Sequence, residues 1–124
     1  MRISVCIATF NGAKYIKAQL SSILNQLGKD DEVIVSDDSS SDHTIEIIRQ
    51  FNDSRIKIYS DNKFQSPILN FEHAISKATG KYIFLSDQDD EWAPDKVATL
   101  LPLLEEKMLV ASHFRFIDQH SNPL

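Results

Sequence analysis

Three aspartates fall within four positions in Leu85-Ser86-Asp87-Gln88-Asp89-Asp90-Glu91-Trp92, directly after the apolar run Tyr82-Ile83-Phe84-Leu85. Carboxylates this close repel one another, and a cation between them relieves the repulsion. Hard divalent ions with oxygen ligands, Mg²⁺ or Mn²⁺, are the usual partners. Asp87 and Asp89 are two apart and point to the same side of an extended segment, so one ion can see both. A solvated acidic loop would contain the same residues. The elements that carry them therefore matter.

Ile3-Ser4-Val5-Cys6-Ile7-Ala8-Thr9 is β-branched and nearly all apolar, the pattern of a strand covered on both faces. Asn11-Gly12 supplies a turn. Residues 15–27 then place Ile16, Leu20, Ile23, Leu24 and Leu27 on one helical stripe, with Lys14, Lys17 and Gln19 assigned outside it and Gly28 as the helix C-cap. A second strand covers residues 32–37. Ser39-Ser40-Ser41-Asp42 follows, rich in helix-capping residues, with Asp42 read as the cap of a helix carrying Ile45, Ile48 and Phe51. A third strand is expected over residues 55–60. Ser66-Pro67 reads as a cap followed by proline at the first helical position, opening a helix that ends at Gly80. The fourth strand, residues 81–86, leads into the aspartates. Ala93-Pro94 is expected to start a fourth helix with Asp95 in its first turn, and Pro102 to kink or split it near Leu101. Residues 109–117 read as a last, weaker strand.

Alternating strands and helices with short connections predict an α/β fold: a mostly parallel sheet with helices on both faces. Such sheets bind ligands beyond the carboxyl ends of the strands, where strand order reverses. Those ends here are Thr9-Phe10-Asn11, Asp37-Asp38-Ser39-Ser40 and Asp87-Gln88-Asp89-Asp90. Three strands thus deliver polar, mostly acidic residues to one edge.

The bulk properties narrow the partners. The 124 residues make one domain with a real core, and 42% hydrophobic with 25% charged residues is ordinary for a globular protein. A formal net charge of -5 argues against nucleic acid, whose phosphates need a basic face. Cys6 is the single cysteine, so there is no disulfide framework or thiolate zinc site, and it reads as a buried small hydrophobe. His43, His73, His113 and His120 lack metal-ligand spacing. No stretch approaches the ~20 apolar residues of a membrane span, and the N-terminus lacks a signal-peptide pattern, so the expected location is cytoplasmic.

With three glycines in all, neither G-x-G-x-x-G nor G-x-x-x-x-G-K-S/T is present, and no glycine-rich loop cradles phosphate. An acidic edge can still hold a diphosphate through a bridging divalent ion. A carboxylate on a neighbouring strand end can accept from a nucleobase imide or a ribose hydroxyl. The combination points to a nucleotide diphosphate across the strand ends, base toward Asp37 and Asp38, phosphates toward Asp87 and Asp89.

Residues 4–11 with the following helix, then Val33-Ile34-Val35-Ser36-Asp37-Asp38-Ser39-Ser40-Ser41-Asp42-His43-Thr44, then Gly80-x-Tyr82-Ile83-x-Leu85-x-Asp87-x-Asp89-Asp90-x-Trp92-x-Pro94-Asp95-Lys96, resemble the N-terminal half of a family-2 glycosyltransferase. The resemblance runs over nearly the whole chain. It implies an inverting, metal-dependent enzyme of the Rossmann-like GT-A fold, working in polysaccharide biosynthesis. It implies that Thr9 lies against the base or ribose, that Asp38 accepts from the base N3–H, and that Asp37 supports it or contacts the ribose. Asn11 frames the nucleotide. Asp87 and Asp89 form the D-x-D motif, with Asp89 the direct ligand of Mg²⁺ or Mn²⁺ and Asp87 nearer the ribose or the ion's outer shell. Asp90 and Trp92 shape the sugar pocket. The implied partners are a UDP- or dTDP-sugar, with dTDP-rhamnose a candidate, and a glycan or lipid-linked acceptor. Peripheral association with the inner membrane would come through regions outside this chain.

The chain also departs from the family pattern. Asn62-Lys63-Phe64 lacks an expected glycine, and Ile68-Leu69-Asn70 lacks an expected arginine, though Asn70 keeps its place. The family's general base is a carboxylate well after the D-x-D motif. Asp118 comes too early for it, so the base is expected beyond Leu124. Residues 1–124 are therefore expected to be the nucleotide-sugar-binding portion of a longer transferase, truncated at the C-terminus, without the acceptor-binding half and inactive alone. Two other readings stand beside this one. One is a nucleotide-binding module without catalysis. The other is a response-regulator receiver, which would need its acidic pair at the end of the first strand. An EF-hand loop would want glycine where counting from Asp87 puts Trp92.

Overall fold

The computed structural model describes residues 2–112 and 117–124. Four strands, β1 (Ile3–Thr9), β2 (Glu32–Asp37), β3 (Ile56–Tyr59) and β4 (Tyr82–Asp87), alternate with four helices, α1 (Ile16–Leu24), α2 (Thr44–Gln50), α3 (Pro67–Lys77) and α4 (Lys96–Leu104). The strands form one parallel sheet in the order β3-β2-β1-β4. The chain builds outward from β1 to β3, then returns to place β4 on the other side of β1. The reversal therefore lies between β1 and β4, where a parallel sheet opens its ligand crevice.

β1 and β2 are buried along almost their whole length, as their apolar runs require. On one face Val5, Ile7, Val33, Val35 and Phe84 meet Ile16, Leu20 and Ile23 of α1, Ile48 of α2, and Val97 and Leu100 of α4. On the other, Ala74 of α3 packs against Cys6 and Ile34. Burial pushes the Cys6 thiol up to about 11, with the nearby Glu32 carboxylate adding to the effect, so it is an inert core residue. β4 alternates: Phe84 and Ser86 are buried, while Ile83 and Leu85 are 41% and 54% exposed.

Several local expectations hold for identifiable reasons. Ser66 caps α3 by accepting from the Leu69 amide, and Pro67 opens the helix. Gly80 sits where a Cβ would lie 2.7 Å from the Ser4 amide nitrogen and 2.8 Å from the Ile3 carbonyl carbon, so only glycine lets the chain enter β4 beside β1.

Others are corrected. The cap position of α2 is His43, not Asp42, and carries no side-chain cap bond; Asp42, one residue earlier, accepts from the Thr44 amide at 3.0 Å. α1 ends at Leu24 with Asn25 as its C-cap; Gly28 lies beyond, its amide held by Asp31. Gln19 is 1% exposed, because it lies three residues after Ile16 and four before Ile23, on the buried face. Residues 93–95 make a turn before α4, and Asp95 is its N-cap residue without a side-chain cap bond. Pro102 does not split α4, which runs on to Leu104. So close to the helix end, the missing N–H orphans a single carbonyl, that of exposed Ala98. Of the last expected strand, residues 109–112 have no strand structure and residues 113–116 lie outside the described residues. Ile117 makes an isolated antiparallel bridge to Pro123, and Leu124 after it is exposed.

Candidate functional site

Parallel register brings the polar strand ends together. Thr9 stands opposite Asp37, and Ala8 opposite Asp87. The Thr9 hydroxyl donates to Asp37 Oδ1 at 2.6 Å, and Asp37 also accepts from the Ser40 amide at 2.8 Å and hydroxyl at 2.6 Å. Both residues are buried beneath the strand ends. Asp38, also buried, accepts from the Phe64 amide at 2.7 Å and the Ser66 amide at 3.4 Å, tying the β3–α3 connection to the end of β2. Asn70 reaches up from α3, accepting from the Ser36 hydroxyl at 2.7 Å and donating to the Thr9 carbonyl at 3.2 Å.

The turn after β1 is built by Asn11, not by Gly12. Asn11 takes the left-handed conformation at φ 51°, which asparagine tolerates better than most residues. Its side-chain carbonyl accepts from the Ser41 amide at 2.8 Å, and its own amide donates to the Ser40 hydroxyl. Gly12 leaves room for Gln88, whose Oε1 would stand 2.6 Å from a Cβ there. Gln88 accepts from the Phe10 amide at 2.7 Å and donates to the Phe10 carbonyl at 3.0 Å, stapling the aspartate loop to the end of β1.

The loop itself exposes Asp87, Asp89 and Asp90. Partial burial raises the Asp90 carboxyl above its ordinary value, and the charges of Asp87 and Asp89 push the same way. That mutual repulsion is what a cation would relieve, and hard carboxylate oxygens suit Mg²⁺ or Mn²⁺. Among the described residues no three His, Cys, Asp or Glu side chains form a ready metal cage. The arrangement fits an ion that takes one or two carboxylates and draws its other ligands from a diphosphate and water. Asp89 lines a cleft of about 190 Å³ with Lys14, Tyr15 and Gln19 among its other walls. A larger depression, about 500 Å³, lies against Arg2, Lys81, Tyr82 and Glu105 at the opposite ends of β1 and β4, away from these aspartates.

Trp92 is buried rather than lining an open pocket. Its indole N–H donates to the Ser86 hydroxyl at 3.0 Å, its ring packs on Phe84, and the Lys96 ammonium sits 4.7 Å from the ring centre. The roles of Gln19, Gln88 and Ser40 were not anticipated from sequence. For Gln19 the signal was present, in its position between buried helical neighbours. Gln88 carried none, since its partner is main chain 78 residues away.

The order β3-β2-β1-β4, read with the acidic strand ends, defines a nucleotide-type α/β crevice. The chain belongs to glycosyl transferase family 2, whose model matches residues 4–123. It is 32% identical to the UDP-Glc:alpha-D-GlcNAc-diphosphoundecaprenol beta-1,3-glucosyltransferase WfaP of Escherichia coli over 92% of this chain and 45% of that protein. It is 37% identical to the dTDP-rhamnosyl transferase RfbG of Shigella flexneri over 79% of this chain and 36% of that one. The chain thus spans less than half the length of these relatives. Its fold superposes on Staphylococcus aureus TarS 1–349 in complex with UDP at a TM-score of 0.77, with 28% identity over 86% of this chain and 32% of the other. The Pyrobaculum calidifontis mannosyltransferase PcManGT, in complex with GDP-Man and Mn²⁺, gives 0.76, with 27% identity over 83% and 32%. The fold is that of the GT-A glycosyltransferases, as expected. A receiver is excluded, because its third strand lies on the opposite side of the first from the second, whereas here β3 lies beyond β2. Among the described residues no helix is long and apolar enough to cross a membrane.

Proposed function

We propose that residues 1–124 are the donor-holding part of a metal-assisted, inverting glycosyltransferase that passes a sugar from a UDP- or dTDP-sugar to a hydroxyl of a lipid-linked or cell-surface glycan. The observation that carries this is the meeting of Asp37, Asp38, Asp87 and Asp89 at one edge of a parallel sheet, at its point of reversal, in a family-2 chain. The relatives support the donor class: one is named for UDP-glucose and another for dTDP-rhamnose. The acceptor class rests on relatives whose names specify undecaprenol diphosphate-linked saccharides. Cytoplasmic action, with peripheral attachment to the inner membrane through other parts of the protein, belongs to the same proposal.

In this reading Asp38 accepts from the base imide, and Thr9 and Asp37 hold the crevice floor from beneath. Asn11 shapes the rim beside the base. Asp89, with Asp87, holds a Mg²⁺ or Mn²⁺ ion, which when bound would neutralise the diphosphate as it departs. Asp90 lies beside the sugar, and Trp92 sets the wall behind it by fixing Ser86. The group that takes the acceptor's proton lies beyond Leu124, in the part of the relatives that this chain does not span. Residues 1–124 alone are therefore expected to bind donor without turning it over.

Calorimetry with UDP and dTDP, each with and without Mn²⁺, tests the reading. Binding strengthened by Mn²⁺, with the gain abolished by Asp89→Ala, is expected. Absence of binding by both nucleotides, or an Asp89→Ala chain that keeps the full Mn²⁺ gain, would overturn it.

A further inference from the structure

Between the end of β4 at Asp87 and the start of α4 at Lys96 the chain has neither helix nor strand, yet this is the segment that carries the carboxylates. Its own main-chain bonds are few: the Asp90 amide to the Asp87 carbonyl, and the Lys96 amide to the Ala93 carbonyl. The Gln88 side chain ties it to Phe10 and Glu91 ties it to Ser121, while its main chain is held from α1 and the turn after it. Gln19 Nε2 donates to the Ser86 hydroxyl at 2.7 Å and to the Asp87 carbonyl. Ser22 Oγ accepts from the Trp92 amide at 3.0 Å. Gln26, just past the end of α1, donates to the Ala93 carbonyl at 2.7 Å and accepts from the Val97 amide at 2.9 Å. A step of three residues puts Gln19 and Ser22 on one side of the helix, and Gln26 follows in the turn beyond it, in the same order as the segment they hold.

Gln19 shows that this arrangement is not optimised for packing. Its Oε1 is buried without a hydrogen-bond partner among the described residues. The amide cannot be turned to cure this, because the Asp87 carbonyl requires a donor. A buried unpaired carbonyl lowers stability, a cost that an apolar side chain of the same size would avoid. A local rule broken at a loss in stability marks a functional requirement.

We propose that Gln19, Ser22 and Gln26 form a positioning ladder that sets the main chain of the aspartate loop, and hence where Asp87 and Asp89 can present their carboxylates to a divalent ion. The proposal rests on the reading of Asp87 and Asp89 as ion-holding residues. Gln19 is its principal rung, since it grips the residue at which β4 ends and the loop begins.

The test compares the intact chain with Gln19→Met and Ser22→Ala, using Lys17→Ala on the exposed side of α1 as control. Four quantities are read: urea midpoint, UDP affinity without metal, the gain in UDP affinity with Mn²⁺, and the emission of Trp92, the single tryptophan. Gln19→Met is expected to leave the urea midpoint little changed, since losing the unpaired carbonyl offsets losing the donor to the Asp87 carbonyl, and to leave metal-free UDP affinity unchanged. It should cut the Mn²⁺ gain about tenfold or more, the usual size of effect for a residue that orients metal ligands. Trp92 emission should move to longer wavelength as the loop loosens. Ser22→Ala should act in the same direction, so an unfolded Gln19→Met chain leaves the question answerable. An unchanged Mn²⁺ gain in the folded variants overturns the ladder. If the intact chain itself shows no Mn²⁺ gain, the ion reading fails and hydrogen exchange of residues 86–97 decides the ladder alone: faster exchange in the variants supports it, and equal exchange overturns it.

Discussion

Thr9 and Asp37 face one another across the β1–β2 ladder, and the Thr9 hydroxyl donates to Asp37 Oδ1 at 2.6 Å inside the protein. With Ser40 supplying two further donors, the carboxylate is satisfied from within. Asp37 therefore fixes the shape of the crevice floor, while Asp38 beside it accepts from the Phe64 and Ser66 amides and ties the β3–α3 connection to that floor.

Thr9→Val keeps the side-chain shape and removes one donor from that buried carboxylate. A loss of about 2 kcal/mol is expected, within the range for hydrogen bonds to charged groups. Urea denaturation measures it. UDP affinity should fall with it, because the floor under Asp38 is no longer pinned.

Glu32 predicts a pH dependence. Burial pushes its carboxyl up, but hydrogen bonds from Lys57, Ser4 and Thr79 together outweigh that and bring it down to about 2. The ordinary glutamate value is about 4.3. Since the folded value is the lower, the stabilisation is fully present above about pH 4.3 and is lost as pH falls through about 2. It is on the order of 3 kcal/mol. Glu32→Gln should be less stable than the intact chain at neutral pH and show a flatter pH dependence across that acidic window, as followed by thermal unfolding.

Gly80→Ala and Gly28→Ala should behave in opposite ways. At Gly80 the added carbon would press on the Ser4 and Ile3 main chain, which cannot yield without moving β1, and about 2 kcal/mol or more should be lost. At Gly28 the nearest atom is Asp31 Oδ2 at 3.5 Å, an ordinary contact, and φ is not positive. Stability there should be unchanged within about 0.5 kcal/mol or improve slightly. Denaturation midpoints distinguish the two.

Gly12→Ala separates folding from site geometry. Its added carbon meets the flexible end of Gln88, not main chain, so the fold should lose no more than about 1 kcal/mol. Gln88 would then release Phe10, and the aspartate loop would lose its tie to β1. The expected outcome is a near-normal urea midpoint with weaker UDP binding in the presence of Mn²⁺. Gln88→Ala should reproduce it without the added carbon.

The sequence by itself determined the alternation of strands and helices, the buried character of β1 and β2, and the acidic strand ends. These follow from apolar periodicity and turn chemistry, which act over a few residues. It also contained the family pattern, because the aspartates, the glycine at the mouth of β4 and the tryptophan keep their spacing along the chain. Tertiary structure decided what each polar group touches. Residues such as Thr9 and Asp37, 28 apart, or Gln19 and Ser86, 67 apart, meet only because parallel register and helix packing bring them together. Periodicity says which way a side chain faces. It does not say which donor it will find there, and on that choice depends whether an aspartate in this crevice supports the floor or is free to bind.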